Sequence, residues 1–495
     1  MGARYVQSRL PNEKDVLDFF ILRHSPHSRY ALTCIVGLPG RSSSHKGKIV
    51  GRKIIQSAHR PVNAYQGIPF AKPPVGELRF MKSQECDPWD GILHTTAFRA
   101  RPVQMERRTE LEALISEDCL YLNVFAPAWT NLSKNVFPVM MFIHGGGFVS
   151  DSAPKYGDIG ISKHLVAECE VVVVTIEYRL GFLGFFSTGD TACDDNAALW
   201  DMKLALEWIQ ENIRTFHGDQ NNMIRELRAV DALKFANEFD IKQFKDDAMT
   251  CVIAPRIDNN FLPRPLETLR QHAPKFNRLI GFCEFEGLGL VEKGSKIEIL
   301  QEKIAERIPE LEYDNFLEIR EKALNLYIKP ADYNNEQAIY LALTKFASDT
   351  FINIGVQRNV LKQLRLHNNG IYLYSFDYCN PKAFFPDMPL IGATHCMDLN
   401  YLLDIRMFSN YEFTDTDKQV MHIVTKLWSN FAKYGDPNGS SMKSESQFMD
   451  FKWYPVTVEH PSRYLSIGPK PKMYDYIQDG RPMFWLHLEK QRKSK

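Results

Sequence analysis

Four short apolar runs constrain this chain more than any other feature. They are Val139-Met-Met-Phe-Ile-His144, Val171-Val-Val-Val-Thr-Ile176, Arg278-Leu-Ile-Gly-Phe282 and Ile371-Tyr-Leu-Tyr-Ser-Phe376. Near-continuous hydrophobicity over so few residues, rich in β-branched side chains, suits strands buried on both faces of a parallel sheet. The stretches between them have helical spacing. Ala198 to Ile213 sets Leu199, Met202, Leu206 and Ile209 on one stripe, and Met223 to Phe239 does the same with Ile224, Leu227, Val230, Leu233 and Phe239. Ala338 to Leu366 predicts one or two more helices, and Val420 to Tyr434 a further one. Strands alternating with helices predict an α/β fold, a mostly parallel central sheet flanked by helices, with its site at the carboxyl ends of the strands. No internal repeat points to a solenoid or propeller.

Residues 1–45 read differently, as a linker-like, poorly ordered extension ending in Gly40-Arg-Ser-Ser-Ser44; residues 46–495 read as one enzyme-sized domain. Sixty Lys plus Arg balance sixty Asp plus Glu, so no basic surplus exists to neutralise phosphates, and nucleic acid is not an expected partner. No run approaches the ~18 apolar residues of a transmembrane segment. The nine cysteines form no CxxC pair, which excludes the usual zinc and redox signatures. Two sequons, Asn131-Leu-Ser133 and Asn438-Gly-Ser440, suit a secreted protein, but Met1 to Arg29 is charged and lacks a signal core. The cytoplasm is favoured over secretion on that basis, with the compartment left open.

The sharpest chemical motif is His144-Gly-Gly-Gly-Phe148, directly after the first strong strand. Glycines there let the backbone turn tightly and present bare N–H groups to a ligand. Such donors suit an oxyanion that develops only in a transition state. Outward from this motif the chain resembles the type-B carboxylesterase and cholinesterase family of α/β-hydrolases. The resemblance is carried by Gln66-Gly-Ile-Pro-Phe-Ala-Lys-Pro-Pro-Val-Gly-Glu-Leu-Arg-Phe80, Ser116-Glu-Asp-Cys-Leu-Tyr-Leu-Asn-Val124, Glu177-Tyr-Arg-Leu-Gly-Phe182, Asn196-Ala-Ala-Leu-Trp-Asp201 and Asn430-Phe-Ala-Lys-Tyr-Gly-Asp-Pro-Asn438.

That resemblance implies hydrolysis of small-molecule carboxylic esters by a Ser–Glu–His triad, with no metal or organic cofactor. Gly146 and Gly147 fall on the oxyanion-hole positions. Gly281-Phe-Cys-Glu-Phe-Glu-Gly287 places the acidic member at Glu286, and Gly392-Ala-Thr-His395 places the base at His395. His395 would take a proton from the attacking hydroxyl and return it to the leaving alcohol, while Glu286 fixes its tautomer. The resemblance also implies two structural ion pairs, Arg79 with Glu117 and Arg179 with Asp201.

The nucleophile has no position in this chain. Relatives follow a loop like Phe216-His-Gly-Asp-Gln-Asn-Asn222 with a strand, a G-x-S-x-G elbow and a helix; here Asn222 runs straight into Met223-Ile-Arg-Glu-Leu-Arg228. No G-x-S-x-G occurs, nor a version with Cys or Thr, and Ser150, Ser152 and Ser187 lack the flanking glycines. A second internal shortening falls near Thr250–Val252. By resemblance the lost strand belongs mid-sheet, between Val171–Ile176 and the strand near Arg278. Its burial is worth on the order of 10 kcal/mol against a whole-domain stability of about 5–15. Its loss also exposes two sheet edges, so poor folding is expected unless neighbours close the gap.

Cys119 resembles one end of the family's first disulfide, but its partner position falls near Pro102, which predicts a free thiol. Val103 to Asp118 holds no aromatic residue, which argues against a quaternary ammonium substrate. Three functional readings stay open. The sequence is an incomplete version of an active carboxylic ester hydrolase, a cholinesterase-like pseudoenzyme that binds a protein partner, or a non-functional splice product. As written, it is expected to be inactive.

Overall fold

The computed structural model describes the backbone of Ala31–Leu38 and residues 46–54, 60–104, 115–129, 136–190, 192–219, 254–258, 260–366, 370–384, 388–407, 409–440 and 451–493. The helix expected at Met223–Phe239 and the shortening near Thr250–Val252 lie outside these residues, as does the sequon at Asn131.

The strands are β1 (Ala31–Leu38), β2 (Gly47–Ile54), β3 (Val62–Pro69), β4 (Ile92–His94), β5 (Tyr121–Pro127), β6 (Val139–Ile143), β7 (Val172–Ile176), β8 (Arg278–Cys283), β9 (Ile371–Phe376), β10 (Tyr464–Ile467) and β11 (Lys472–Tyr474). All four strands expected from apolar runs form within a residue of their predicted bounds. They do not join one sheet. A seven-stranded sheet runs β1-β2-β3-β5-β7-β6 with β4 beside β2, and a four-stranded sheet runs β11-β10-β9-β8. The first is largely antiparallel up to β7; the parallel pairs are β6 with β7, β8 with β9, and β9 with β10, besides β2 with β4. Part of the stretch read as an extension, Ala31–Leu38, pairs with β2.

Side-chain burial marks the break between the two sheets. Every residue of β7 and β9 is buried, whereas β6 is half-buried throughout and β8 is half-buried from Arg278 to Gly281. Those two strands end their sheets facing the gap. The strand that flanks it is therefore Val139–Ile143, not Val171–Ile176 as the resemblance implied, because β6 lies outside β7 although it precedes it in sequence. Among the described residues nothing closes the gap. The chain does begin to enter it: Phe137 donates its N–H to His217 O at 2.7 Å and accepts from Asp219 N–H at 2.6 Å, a parallel bridge with Gly218 on the side of Phe137 away from β7.

Alternation along β7 divides the core. Val172, Val174 and Ile176 pack with β3, β5 and helix α1 (Ala197–Asn212). Val173 faces the other side, where one apolar cluster spans the break and takes in Tyr372, Tyr374 and Phe376 of β9. The stretch Ala338–Leu366, expected to hold one or two helices, holds two, helix α2 (Glu336–Ser348) and helix α3 (Ile354–Arg365), with a π turn at Asp349–Asn353 between them. That turn points buried Asp349 at Arg481 Nε, 2.7 Å away, and at the Tyr327 hydroxyl, 2.9 Å away. Helix α4 (Met397–Leu403) is short. Helix α5 (Asp415–Tyr434) starts ahead of the expected Val420 because Thr414 and Asp417 form a capping box, and it stops at Gly435, φ 67°.

Both ion pairs implied by resemblance are made. Arg79 and Glu117 form two bonds of 2.6 Å at the surface. Arg179 and Asp201 are buried, with contacts of 2.8 and 2.6 Å. Cys119 is a free, buried thiol, and Pro102 lines the same cleft beside it. The Asn438 side chain is fully engaged: its oxygen accepts from Trp453 N–H at 2.8 Å, and its NH2 donates to Asp436 and to Trp453 O at 2.7 and 2.9 Å. A glycan there would disrupt that turn. No helix among the described residues is long and apolar enough to cross a membrane.

Candidate active site

The carboxyl ends of β6 and β8 carry two loops. After β6, Gly146 and Gly147 take φ values of 93° and 60°. A Cβ on Gly146 would stand 2.0 Å from Ser150 O, so only glycine fits that turn. Gly145, Gly146 and Gly147 are exposed, while His144 and Phe148 anchor the loop from buried positions. The His144 ring stacks on Tyr178 at 4.5 Å, and the Tyr178 hydroxyl donates to His144 O at 2.7 Å. Glu177 Oε2 lies 3.4 Å from His144 Nε2, and Glu177 Oε1 accepts from Ala153 N–H at 2.9 Å. Burial pushes the Glu177 carboxyl above its usual range, against the pull of His144. Glu177 and Tyr178 are supports that the motif reading passed over; of that block it gave a role only to Arg179.

After β8, Phe285 N–H donates to Ala393 O at 2.8 Å and bridges to Thr394, which brings the Glu286 and His395 loops together. His395 Nδ1 donates to Glu286 Oε2 at 2.6 Å. The other carboxylate oxygen accepts from Cys283 N–H at 2.6 Å. Both acceptors of Glu286 are thus used, and the ring is held with Nε2 outward. The two ends of this pair differ in exposure. Glu286 is 5% exposed, whereas the His395 side chain is 54% exposed and rests edge-on to Phe351 at 5.9 Å.

Hydrogen bonding to the Cys396 side chain and to Glu286, opposed by burial, holds His395 up at about 10. The ring is therefore an imidazolium at neutral pH. Below the ordinary histidine value of about 6.5 the ring is charged whether folded or not, and the stabilisation by this pair is complete. It is lost as pH rises through about 10. We expect the His395 ring, followed by NMR on histidine-labelled protein, to stay protonated past pH 8, and Glu286→Gln to bring its midpoint down. A midpoint near that of free histidine in the unmutated chain would mean that the pair does not form.

The motif Glu284-Phe285-Glu286 offered two carboxylates, and geometry separates them. His395 is bonded to Glu286 and not to Glu284, whose carboxyl burial, with the charge of Asp377, pushes up to about 7. Asp398, unnoticed in the sequence, lies behind the pair, accepts from the Tyr374 hydroxyl at 3.0 Å, and is pushed up by burial and by the charge of Glu286. Among the described residues no hydrogen bond joins the glycine loop to His395, and no cluster of three His, Cys, Asp or Glu could hold a metal.

A model of the carboxylesterase family matches residues 41–224 and 220–485. The chain belongs to the carboxylesterase family. It is 32% identical to the esterase cest-33 of Caenorhabditis elegans, over 86% of this chain and 89% of the relative. It is 27% identical to a medium-chain fatty acyl-CoA hydrolase precursor of Anas platyrhynchos, over 90% and 91%, and 26% identical to the pyrethroid hydrolase Ces2e of Rattus norvegicus, over 90% and 88%. The two matched stretches meet at residues 220–224, and no G-x-S-x-G occurs in the sequence. The alignment to the worm esterase runs over 504 positions yet uses 86% of 495 residues, about 426, so about 78 positions have no residue here. The chain has the α/β-hydrolase fold of its family.

Proposed function

We propose that this chain holds the acid–base half of an ester-hydrolase site without a nucleophile, and that it has no serine hydrolase activity by itself. The observation that carries this reading is the half-exposed His395 ring beside a buried Glu286, at the mouth of a break where the nucleophile strand would run. In the complete site, Nε2 of His395 would exchange a proton with the serine hydroxyl and the leaving alcohol, Glu286 would hold Nδ1–H, and the N–H groups of Gly146 and Gly147 would receive the oxyanion. The names of the relatives, hydrolases of fatty acyl-CoA and of pyrethroids, support acyl hydrolysis as the ancestral chemistry. In this chain the hydrogen bonds to Cys396 and Glu286 favour the protonated imidazole, and no elbow hydroxyl is present for it to deprotonate.

The test is direct. The purified 495-residue chain is expected to take no label from a serine-directed fluorophosphonate and to leave p-nitrophenyl acetate intact above the buffer rate. Labelling of a serine together with turnover would overturn the proposal. A second reading, a longer product of the same gene, is favoured by the retained His395–Glu286 pair and by the meeting of the two matched stretches at residues 220–224. Transcript sequencing across Asn222–Met223 decides it: codons for a strand and a G-x-S-x-G turn support it, and an abundant message with the junction as written refutes it.

A further inference from the structure

His164 stands between two carboxylates. It belongs to the π-helix Ile161–Glu168, which packs on β3, β5 and β7 of the larger sheet. Its Nδ1 faces Glu168 Oε2 of the same helix at 3.0 Å. Its Nε2 faces Oδ2 of Asp404, the residue after α4, at 3.2 Å. A neutral imidazole has one N–H, so it would donate to one carboxylate and turn a lone pair on the other. Only the imidazolium donates to both. The ring is thus a cation held between two anions, with its side chain 10% exposed.

The junction spanned by this ring is tight. A Cβ on Gly160, at the head of the π-helix, would stand 2.2 Å from Leu403 O and 2.6 Å from the Asp404 Cβ, so the end of α4 rests against bare backbone. Asp404 takes φ 54° there, and its other oxygen accepts from Arg406 Nη1 at 2.8 Å. On α5, His422 and Lys426 are the titratable groups on this side; burial lowers His422, on which the charges of Glu168, Lys426 and His164 also act. From β3, β5 and β7 come the apolar side chains of Val62, Ala64, Phe125 and Val173, which share a cluster with Ile161, Leu165 and Val166. Burial pulls His164 down, but the bonds to Asp404 and Glu168 outweigh it and raise the ring above 6.5.

Helix α4 has His395 two residues before its start and Asp404 one residue after its end. We propose that protonated His164 is a clasp that fastens the end of α4 to the π-helix and so holds the His395 loop against Glu286, and that loss of the proton loosens it. Below about pH 6.5 the ring is charged in the folded and the unfolded chain alike, and the clasp is whole. Its stabilisation is lost as pH rises through the raised value of the folded ring. The clasp acts on the His395–Glu286 pair whether or not that pair belongs to an ester hydrolase, so it can fail while the lack of serine labelling stands.

The ring is tested first in the unchanged chain. Its NMR midpoint, assigned by the signal missing from His164→Gln, is expected above about 6.5 and should fall in Asp404→Asn. A midpoint at or below that of a free histidine overturns the proposal. The Ile405 N–H donates to Asn400 O at 3.1 Å at the clasped end. Corrected for intrinsic rate, its exchange protection should drop at least about 10-fold from about one pH unit below the His164 midpoint to about one above. In His164→Gln it should be low throughout. At about pH 6 the Nδ1 proton of His395 should exchange at least about 10-fold faster in that variant than in the unchanged chain. Should His164→Gln fail to fold, Asp404→Asn gives the same readings from the other side of the bond. Equal protection of Ile405 in variant and unchanged chain would mean that packing alone holds α4. A loosened Ile405 with an unaltered His395 proton would cut the clasp off from the site. Either result overturns the proposal.

Discussion

Asp201→Ala is expected to lower the unfolding free energy by about 3–5 kcal/mol, because it strands a buried guanidinium. Arg179 is 3% exposed and Asp201 not at all, and the carboxylate also accepts from Arg179 N–H at 3.1 Å. Against a total of about 5–15 kcal/mol that loss removes much of the margin of the fold. Glu117→Ala breaks the other implied ion pair, yet Arg79 and Glu117 are 46% and 26% exposed, and solvent screening makes that loss much the smaller of the two. Urea midpoints of the two variants measured side by side separate these cases. Equal midpoints would mean that the Arg179–Asp201 pair is solvated in solution.

A larger effect is expected in activity. Inserting between Asn222 and Met223 a strand, a G-x-S-x-G turn and a helix from a relative should yield turnover of p-nitrophenyl acetate and covalent labelling at the inserted serine. The chain already leads backbone into the gap at Gly218, beside Phe137, and both loops of the site stand at the carboxyl ends of the flanking strands. In the extended chain, His395→Ala should reduce kcat by as much as about 10^6, the scale on which members of a catalytic triad fail together. An extended chain that folds, exposes its serine and hydrolyses nothing would show that His395 and Glu286 no longer meet the elbow. Activity that survives His395→Ala would move the base elsewhere.

Strands β6 to β9 were legible because each is a nearly unbroken apolar run, as in Val172–Ile176, whereas the short parallel strands β4 and β10 carry no such run. The antiparallel strands β1 to β3 were not read, since Gly47–Ile54 mixes lysine and arginine among its apolar residues. Strand order was beyond the local pattern. Nothing in Val139–Ile143 tells that it lies outside β7, and the position of the break was misjudged by one strand. The capping box at Thr414 and Asp417 was a readable signal for an earlier helix start, whereas the π turn at Asp349 depends on Arg481, far away in the chain. At the site, the family resemblance pointed to Glu286 and His395, and the structure brings them into contact. Asp398 and Glu177 carry no pattern of their own; only three-dimensional packing puts them behind the pair and under the glycine loop.

A hydrogen-bonded sheet is a mechanical continuum, and among the described residues that continuum stops between β6 and β8. Strain or solvent entering one half cannot be passed on peptide by peptide to the other. It must travel through side-chain packing, and through a latch where His164, on the π-helix Ile161–Glu168, binds Glu168 and Asp404 at 3.0 and 3.2 Å. The two sheets share one apolar cluster, so packing at that seam takes the place of the ladder that an uninterrupted sheet would have.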